Sequence, residues 1–336
     1  MSLNTLEEIA SYIVSDGKGI LAADESNPTC SKRFDTIGVE STEESRRDYR
    51  EMLFRSGGIQ GNIGGVILFD ETIRQNAKDG TSLVDLMNSQ GALPGIKVDK
   101  GLQPIGDSDE TVTVGLDGLD ERLKEYSLLG AKFTKWRAVI KIGNNLPTDN
   151  CIDANMNALA DYAKVVQDNG MVPMVEPEVL MEGDHSIEEC FTATERSLKS
   201  LFHHLKENGV NIKGTILKPN MVTSGSTCSN QASINEVAEQ TLECLKANVP
   251  SELPAITFLS GGQSELLATA HLDAMNKIGG FDWKLSFSFG RALQAPTLKA
   301  WMGKPENVFI AQDALSHRAK MNQLAALGQW DKGLED

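Results

Sequence analysis

The sequence predicts a (β/α)8 barrel, and three observations carry that reading. Eight short apolar runs recur about 38 residues apart from Gly17 to Lys284, room for one strand and one crossover helix per step. The stretches between them place apolar residues three and four apart, the period of a helix packed on one face. The runs also end, one after another, in charged residues or glycines, as expected where strand ends meet in a common site. A doubly wound open sheet fits the same alternation and is the structural alternative.

The elements follow in order. MSLNTLEEIASYIVSDG fits a short amphipathic helix stopped at Gly17. The first four runs are GKGILAAD (17–24), GGVILF (64–69), GIKVDK (95–100) and FTKWRAVIKI (133–142). The next four are MVPMVEPEV (171–179), GTILKPNMV (214–222), AITFLSGG (255–262) and KLSFSFGRA (284–292). NALADYAKVVQDNG (157–170), EECFTATERSLKSLFHHLKENG (188–209) and INEVAEQTLECLKANV (234–249) read as helices, the first two closing on Asn-Gly, a good helix stop. SGSTCS (224–229) is a polar loop after the sixth run. From about Gly303 the tail reads as helices on the outside of the barrel, finishing in the polar GQWDKGLED. No repeat, low-complexity tract or linker interrupts the chain. The expected organisation is one barrel domain over 1–336, with 303–336 as a C-terminal helical extension.

Composition narrows the function classes. At 336 residues the chain can bury a large core without staples. A formal net charge of −15 and a pI near 4.9 argue against a general nucleic-acid or anionic-membrane surface, while a local cationic cleft stays compatible. Cys30, Cys151, Cys190, Cys228 and Cys244 are scattered, odd in number and without CxxC spacing. A reduced, cytoplasmic compartment is expected, with no disulfide framework and no zinc ribbon. The N-terminus lacks transit-peptide and secretory features, and no run approaches eighteen apolar residues. A plastid location would require a transit peptide already removed.

Chemistry is read from the strand ends. Lys218 follows Thr215, Ile216 and Leu217 at the end of the sixth run. Desolvation and cationic neighbours lower the pKa of such an amine, and the neutral form attacks a carbonyl to give a Schiff base. A lone lysine there also reads as one snorkelling to water. Its company argues otherwise. The first run ends in Asp24-Glu25. Lys97 and Asp99, Lys135 and Arg137, and Glu176 and Glu178 are each two apart, so each pair shares a strand face. Ion pairs plugging a barrel mouth would use the same residues. Barrel interiors, however, are filled mainly by branched apolar side chains, and unpaired buried charge is expensive. Glutamates beside the lysine can shuttle protons for carbinolamine formation and dehydration. An iminium withdraws electrons, so a bond two atoms away breaks to leave an enamine, and Asp24 is suited to take the hydroxyl proton that starts the cleavage.

A phosphate site is legible as well. SGGQSELLATAHLDAMNKI sets Ser260, Gly261 and Gly262 ahead of a good helix, offering free N–H groups and a positive dipole end. Loops after the seventh and eighth strands commonly hold phosphate in such barrels, and Arg291 at the eighth would add a charge-assisted clamp. His185, His203, His204, His271 and His317 show neither HxH nor HExxH spacing, so no metal is expected. Trp136, Trp301, the methionines of MVPMVEP and the cysteines read as core.

GKGILAADES, GGVILF, GIKVDKG, KWR, VPMVEPE, LKPNMV, FLSGGQSE and FGRALQ, in this order, closely resemble class I (Schiff-base) fructose-1,6-bisphosphate aldolase, in its eukaryotic, plant and algal type. The likeness spans roughly residues 8 to 330. It implies reversible cleavage of fructose 1,6-bisphosphate to dihydroxyacetone phosphate and glyceraldehyde 3-phosphate, without metal or cofactor, in a homotetramer. By the matching motifs Lys218 is the Schiff-base lysine and Glu176 the proton shuttle. Lys135 and Glu178 support them, and Asp24 acts at the bond being broken. Ser260, Gly261, Gly290 and Arg291 match the pocket for the ketose C1 phosphate. Ser26, Arg33 and Lys97 match positions around the other phosphate, with Arg137 lining the same cleft. Thr29 stands where the family often has a second phosphate-binding serine. The family usually ends in a tail with a C-terminal tyrosine, whereas this sequence ends at Asp336. Fold and Schiff-base formation are expected to be indifferent to that difference; turnover and preference for the bisphosphate are not. Transaldolase-like chemistry on another sugar phosphate, or a scaffold role, are the alternatives.

Overall fold

Eight parallel strands close on themselves in the computed structural model, which describes residues 3–335. In chain order the strands are β1 (Gly19–Ala23), β2 (Ile63–Leu68), β3 (Leu93–Lys97), β4 (Leu102–Pro104) and β5 (Thr111–Thr113). β6 (Phe133–Ile140), β7 (Val172–Val179), β8 (Ile216–Leu217), β9 (Ala255–Phe258) and β10 (Lys284–Phe289) follow. All but β4 and β5 form the barrel, each pairing with its sequence neighbour and β10 returning to β1. Every apolar run supplies one barrel strand, so the chain forms a closed barrel and not an open sheet. β4 and β5 make a separate antiparallel hairpin after β3. The run pattern missed it because three-residue strands carry no alternation to read.

Two boundaries differ from expectation for local reasons. The sixth run contributes only Ile216–Leu217 to the ladder, because Pro219 has no N–H to continue it. The Lys218 amide still donates to the Val175 carbonyl at 2.8 Å, so the lysine remains in line with the strand. The helix expected from residue 157 begins at Asp149, started by the Thr148 hydroxyl, which accepts from the Cys151 amide. Ser186, Ser233 and Ser264 start their helices in the same way.

Alternation along the strands divides the barrel interior into two layers. Ile20 and Ala22, Ile67, Phe133, Val172 and Met174, Ile216 and Ala255 form one buried apolar cluster. Ile9, Ala10 and Ile13 of the N-terminal helix Leu6–Ile13 complete it from below. One step of two residues further along these strands stand Asp24, Lys135, Glu176 and Lys218. The floor is therefore apolar and sealed, and the mouth is charged. The N-terminal helix ends short of Gly17, because Asp16 (φ 57°) and Gly17 (φ +76°) turn the chain upward into β1.

Contact at the floor is close. A Cβ added to Gly64 would lie 2.0 Å from the Ile13 carbonyl oxygen, and backbone cannot give way as a side chain can. Gly64→Ala is expected to cost about 1–3 kcal/mol, the usual range for overpacking. An unchanged urea midpoint would mean that the helix is not seated there. Beyond the helix Arg291–Trp301 the tail forms the helix Val308–Ala326, packed on Arg291–Trp301 and on Glu265–Ile278.

Candidate active site

The charged layer is a chain of alternating signs. Lys218 Nζ lies 3.1 Å from Glu176 Oε1. Lys135 Nζ lies 3.3 Å from Glu176 Oε2 and 2.7 Å from Asp24 Oδ2. Glu176 thus touches two lysines and Lys135 two carboxylates. Lys218, Glu176 and Lys135 are at most 5% exposed, so these charges interact with little screening by water. Parallel register brings them together: Lys135 pairs with Met174, two residues before Glu176, and Val175 pairs with Leu217, each one residue before Glu176 and Lys218 respectively.

The pairing decides the protonation states. Burial alone would raise Asp24, but Lys135, Lys218 and Lys97 outweigh it and hold the carboxyl well below the usual range. Glu176 is likewise held below its usual value, burial being overcome by Lys135, Lys218 and Arg137. Lys135 moves the other way: burial would lower it, but Asp24 and Glu176 raise it, so it stays an ammonium. Near neutrality this leaves a base, Glu176, within hydrogen-bond reach of the Lys218 nitrogen.

The remaining nominated residues surround this chain. Arg137 is ion-paired with Glu178, and Lys97 with Asp99. Glu176, not Glu178, is therefore the carboxylate at Lys218. Ser26 and Thr29 present hydroxyls 3.0 Å apart where the helix Asn27–Asp35 begins. Arg33, on that helix, is ion-paired with Glu25. Glu25 also binds Arg50 at 2.6 Å and accepts from Gln294 Nε2 at 2.9 Å. This carboxylate of the first strand end is an anchor for Arg33.

Ser260, Gly261 and Gly262 form a tight turn closed by the Gln263 amide on the Ser260 carbonyl at 3.0 Å. Gly261 (φ +59°) and Gly262 (φ +98°) both have positive φ, a backbone conformation that favours glycine at both positions. Arg291 lies against this turn: a Cβ on Gly262 would be 3.2 Å from its Nη2. Arg33 Nη2 is similarly 3.8 Å from a Cβ on Gly290, so the two sets of phosphate residues named by the resemblance adjoin here.

One cavity of about 880 Å³ opens over all of this, and all fourteen nominated residues line it. Nine lysines and arginines face eight aspartates and glutamates in its wall, an excess of cations within a chain of net charge −15. Ser288 was not nominated. Its hydroxyl is buried in the cavity wall without a hydrogen-bond partner among the described residues. The signal was present in KLSFSF, where Ser286 and Ser288 interrupt an inward face; Ser286 donates to the Lys18 carbonyl at 2.6 Å. Arg74, Lys100 and Arg122 at the rim were also missed. Among the described residues no group of three or more His, Cys, Asp or Glu side chains is placed to hold a metal ion.

A closed parallel barrel with a buried lysine against a carboxylate at its mouth is the arrangement that a lysine-nucleophile barrel enzyme requires. The family model described as fructose-bisphosphate aldolase class-I matches residues 5–336. A probable fructose-bisphosphate aldolase class 1 of Xanthomonas axonopodis pv. citri is 54% identical over 98% of this chain and 99% of its own. Cytosolic fructose-bisphosphate aldolase 4 of Arabidopsis thaliana is 51% identical over 95% of this chain and 82% of its own. The aldolase of Plasmodium falciparum, solved with TRAP and a small-molecule inhibitor, superposes with a TM-score of 0.96. It is 47% identical, over 98% of this chain and 95% of that one. The chain belongs to the class-I fructose-bisphosphate aldolase family.

Proposed function

We propose that this aldolase works through Lys218, with Glu176 as its proton shuttle and Asp24 as the base that triggers cleavage. The reaction is the family's: reversible aldol cleavage of fructose 1,6-bisphosphate to dihydroxyacetone phosphate and glyceraldehyde 3-phosphate. The 3.1 Å contact between Lys218 Nζ and Glu176 Oε1 carries the assignment.

The steps follow from the charge chain. Glu176 takes a proton from Lys218, and the free amine attacks the ketose C2 carbonyl. Glu176 returns the proton to the carbinolamine oxygen, which leaves as water and gives the iminium. Asp24 removes the C4 hydroxyl proton; the C3–C4 bond breaks, the aldehyde departs, and its electrons neutralise the iminium as an enamine. Protonation at C3 and hydrolysis release the second product and the lysine. Lys135 holds both carboxylates ionised and in place, and Glu178 fixes Arg137 in the cleft.

Ser260, Gly261, Gly290 and Arg291 bind the C1 phosphate in this reading. Ser26, Thr29, Arg33 and Lys97 bind the other phosphate, and Ser288 offers its free hydroxyl to the substrate between them. The chain acts as a single barrel domain, with the segment from Gly303 as its helical extension, in a cytoplasmic homotetramer. The Arabidopsis relatives named cytosolic support that location. No helix among the described residues is long and apolar enough to cross a membrane.

Borohydride trapping with dihydroxyacetone phosphate in EDTA, followed by peptide mass spectrometry, tests the assignment. The expected result is a reduced adduct on Lys218. An adduct on Lys135 or Lys97 would move the nucleophile, and no adduct on the folded protein would sink the covalent mechanism.

A further inference from the structure

Under the Ser260–Gly262 turn lies a buried polar pair that the chemistry above does not use. His271 and Gln263 are 2% and 8% exposed, and His271 Nδ1 is 2.6 Å from Gln263 Oε1. On its other side Gln263 Nε2 reaches the sulfur of Met221 at 3.6 Å, three residues beyond Lys218. Gln263 therefore spans from the strand end that carries Lys218 to the helix Glu265–Ile278, which follows the turn. Its own amide closes the turn on Ser260.

The ring's state is determined by its surroundings. A carboxamide oxygen only accepts, so Nδ1 carries the proton. Nε2 is buried without a hydrogen-bond partner among the described residues, which suits an unprotonated nitrogen in an apolar wall. Burial pushes the ring down to about 4, so it remains neutral throughout the range around pH 7. A satisfied core histidine would show the same burial. What sets this one apart is its contact, the side chain of the residue whose backbone amide closes the turn over two consecutive left-handed glycines.

We propose that His271, acting through Gln263, is a positioning residue that holds the Ser260–Gly262 turn in its phosphate-binding shape and so sets affinity for the phosphorylated substrate. This rests on the phosphate role given to that turn above. It predicts a loss confined to phosphate recognition, with the amine chemistry at Lys218 spared.

The test compares His271→Leu, His271→Asn and Arg291→Ala. Four quantities are read: KM and kcat for fructose 1,6-bisphosphate, competitive inhibition by inorganic phosphate, and borohydride trapping with phosphate-free dihydroxyacetone. His271→Leu is expected to raise KM and the phosphate inhibition constant about tenfold, the scale of one well-aligned buried hydrogen bond, with trapping unchanged. His271→Asn, whose side-chain N–H reaches the same oxygen, should restore both to within about threefold. If His271→Leu does not fold, Gln263→Met removes the same contact and should give the same shift. Unchanged KM and inhibition, equal loss in trapping, or no rescue by asparagine would each overturn the proposal. Arg291→Ala separates the two readings. If it too leaves phosphate inhibition unchanged, the phosphate site itself is misassigned; if it weakens inhibition while His271→Leu does not, only the positioning role fails.

Discussion

Lys218→Met is expected to abolish turnover while leaving the barrel folded, with kcat falling by about 10⁴–10⁶-fold, the scale seen when a covalent nucleophile is removed. Methionine matches the lysine stem in length and carries no amine. Glu176 loses one cation but keeps Lys135 at 3.3 Å, so the variant does not strand a buried carboxylate. Borohydride trapping should vanish in parallel. Residual activity above about one hundredth of wild type would show that another amine does the work, since no uncatalysed route competes at that level.

Lys135→Met should act differently, because it strikes the middle of the charge chain. Asp24 and Glu176 both lose their shared partner, and breaking a buried pair from one side costs about 3–5 kcal/mol. The pH dependence identifies the cause. Carboxyls with depressed folded values contribute stability above their unfolded values and lose it as pH falls through the folded ones. Removing Lys135 takes that depression away, so the penalty is full near pH 7. It shrinks as acid protonates the two carboxyls. Urea midpoints for wild type and variant should therefore differ most at pH 7 and converge as pH falls from about 4 toward about 2, below the ordinary carboxylate range. A gap of equal size at both ends of that range would mean that the loss is one of packing and not of charge. The acid limb of the activity profile should also move upward, as both carboxyls become easier to protonate.

How far such a site can be read from sequence depends on the range of its contacts. FTKWR and VPMVEPE carry their own geometry: a period of two puts Lys135 with Arg137, and Glu176 with Glu178, whatever surrounds them. SGG ahead of an amphipathic helix is equally local. Once eight such runs are counted, their spacing favours a barrel over an open sheet, and the fourteen nominated residues line one cavity. What escaped depends on distant partners. Glu25 becomes an anchor only because Arg50, on the helix Glu43–Phe54, and Gln294, near the far end of the chain, converge on it. Nothing near Arg50 distinguishes it from other arginines of a charged helix. His271 looks like any histidine until Gln263 is seen beneath the glycine turn. The hairpin β4–β5 was lost for another reason, since strands this short leave no pattern.

The sealed floor has a consequence for traffic. With Ile9, Ala10 and Ile13 filling the lower end, water, protons, sugar and both products must all use the same doorway. A barrel open at both ends could admit reactant at one side and drain it at the other; this one is a room with a single door. Anything bound at the doorway, in front of Arg33 and Arg291, stands between Lys218 and the solvent. On the phosphate roles proposed for Arg33 and Arg291, the bound substrate itself would stand on that threshold.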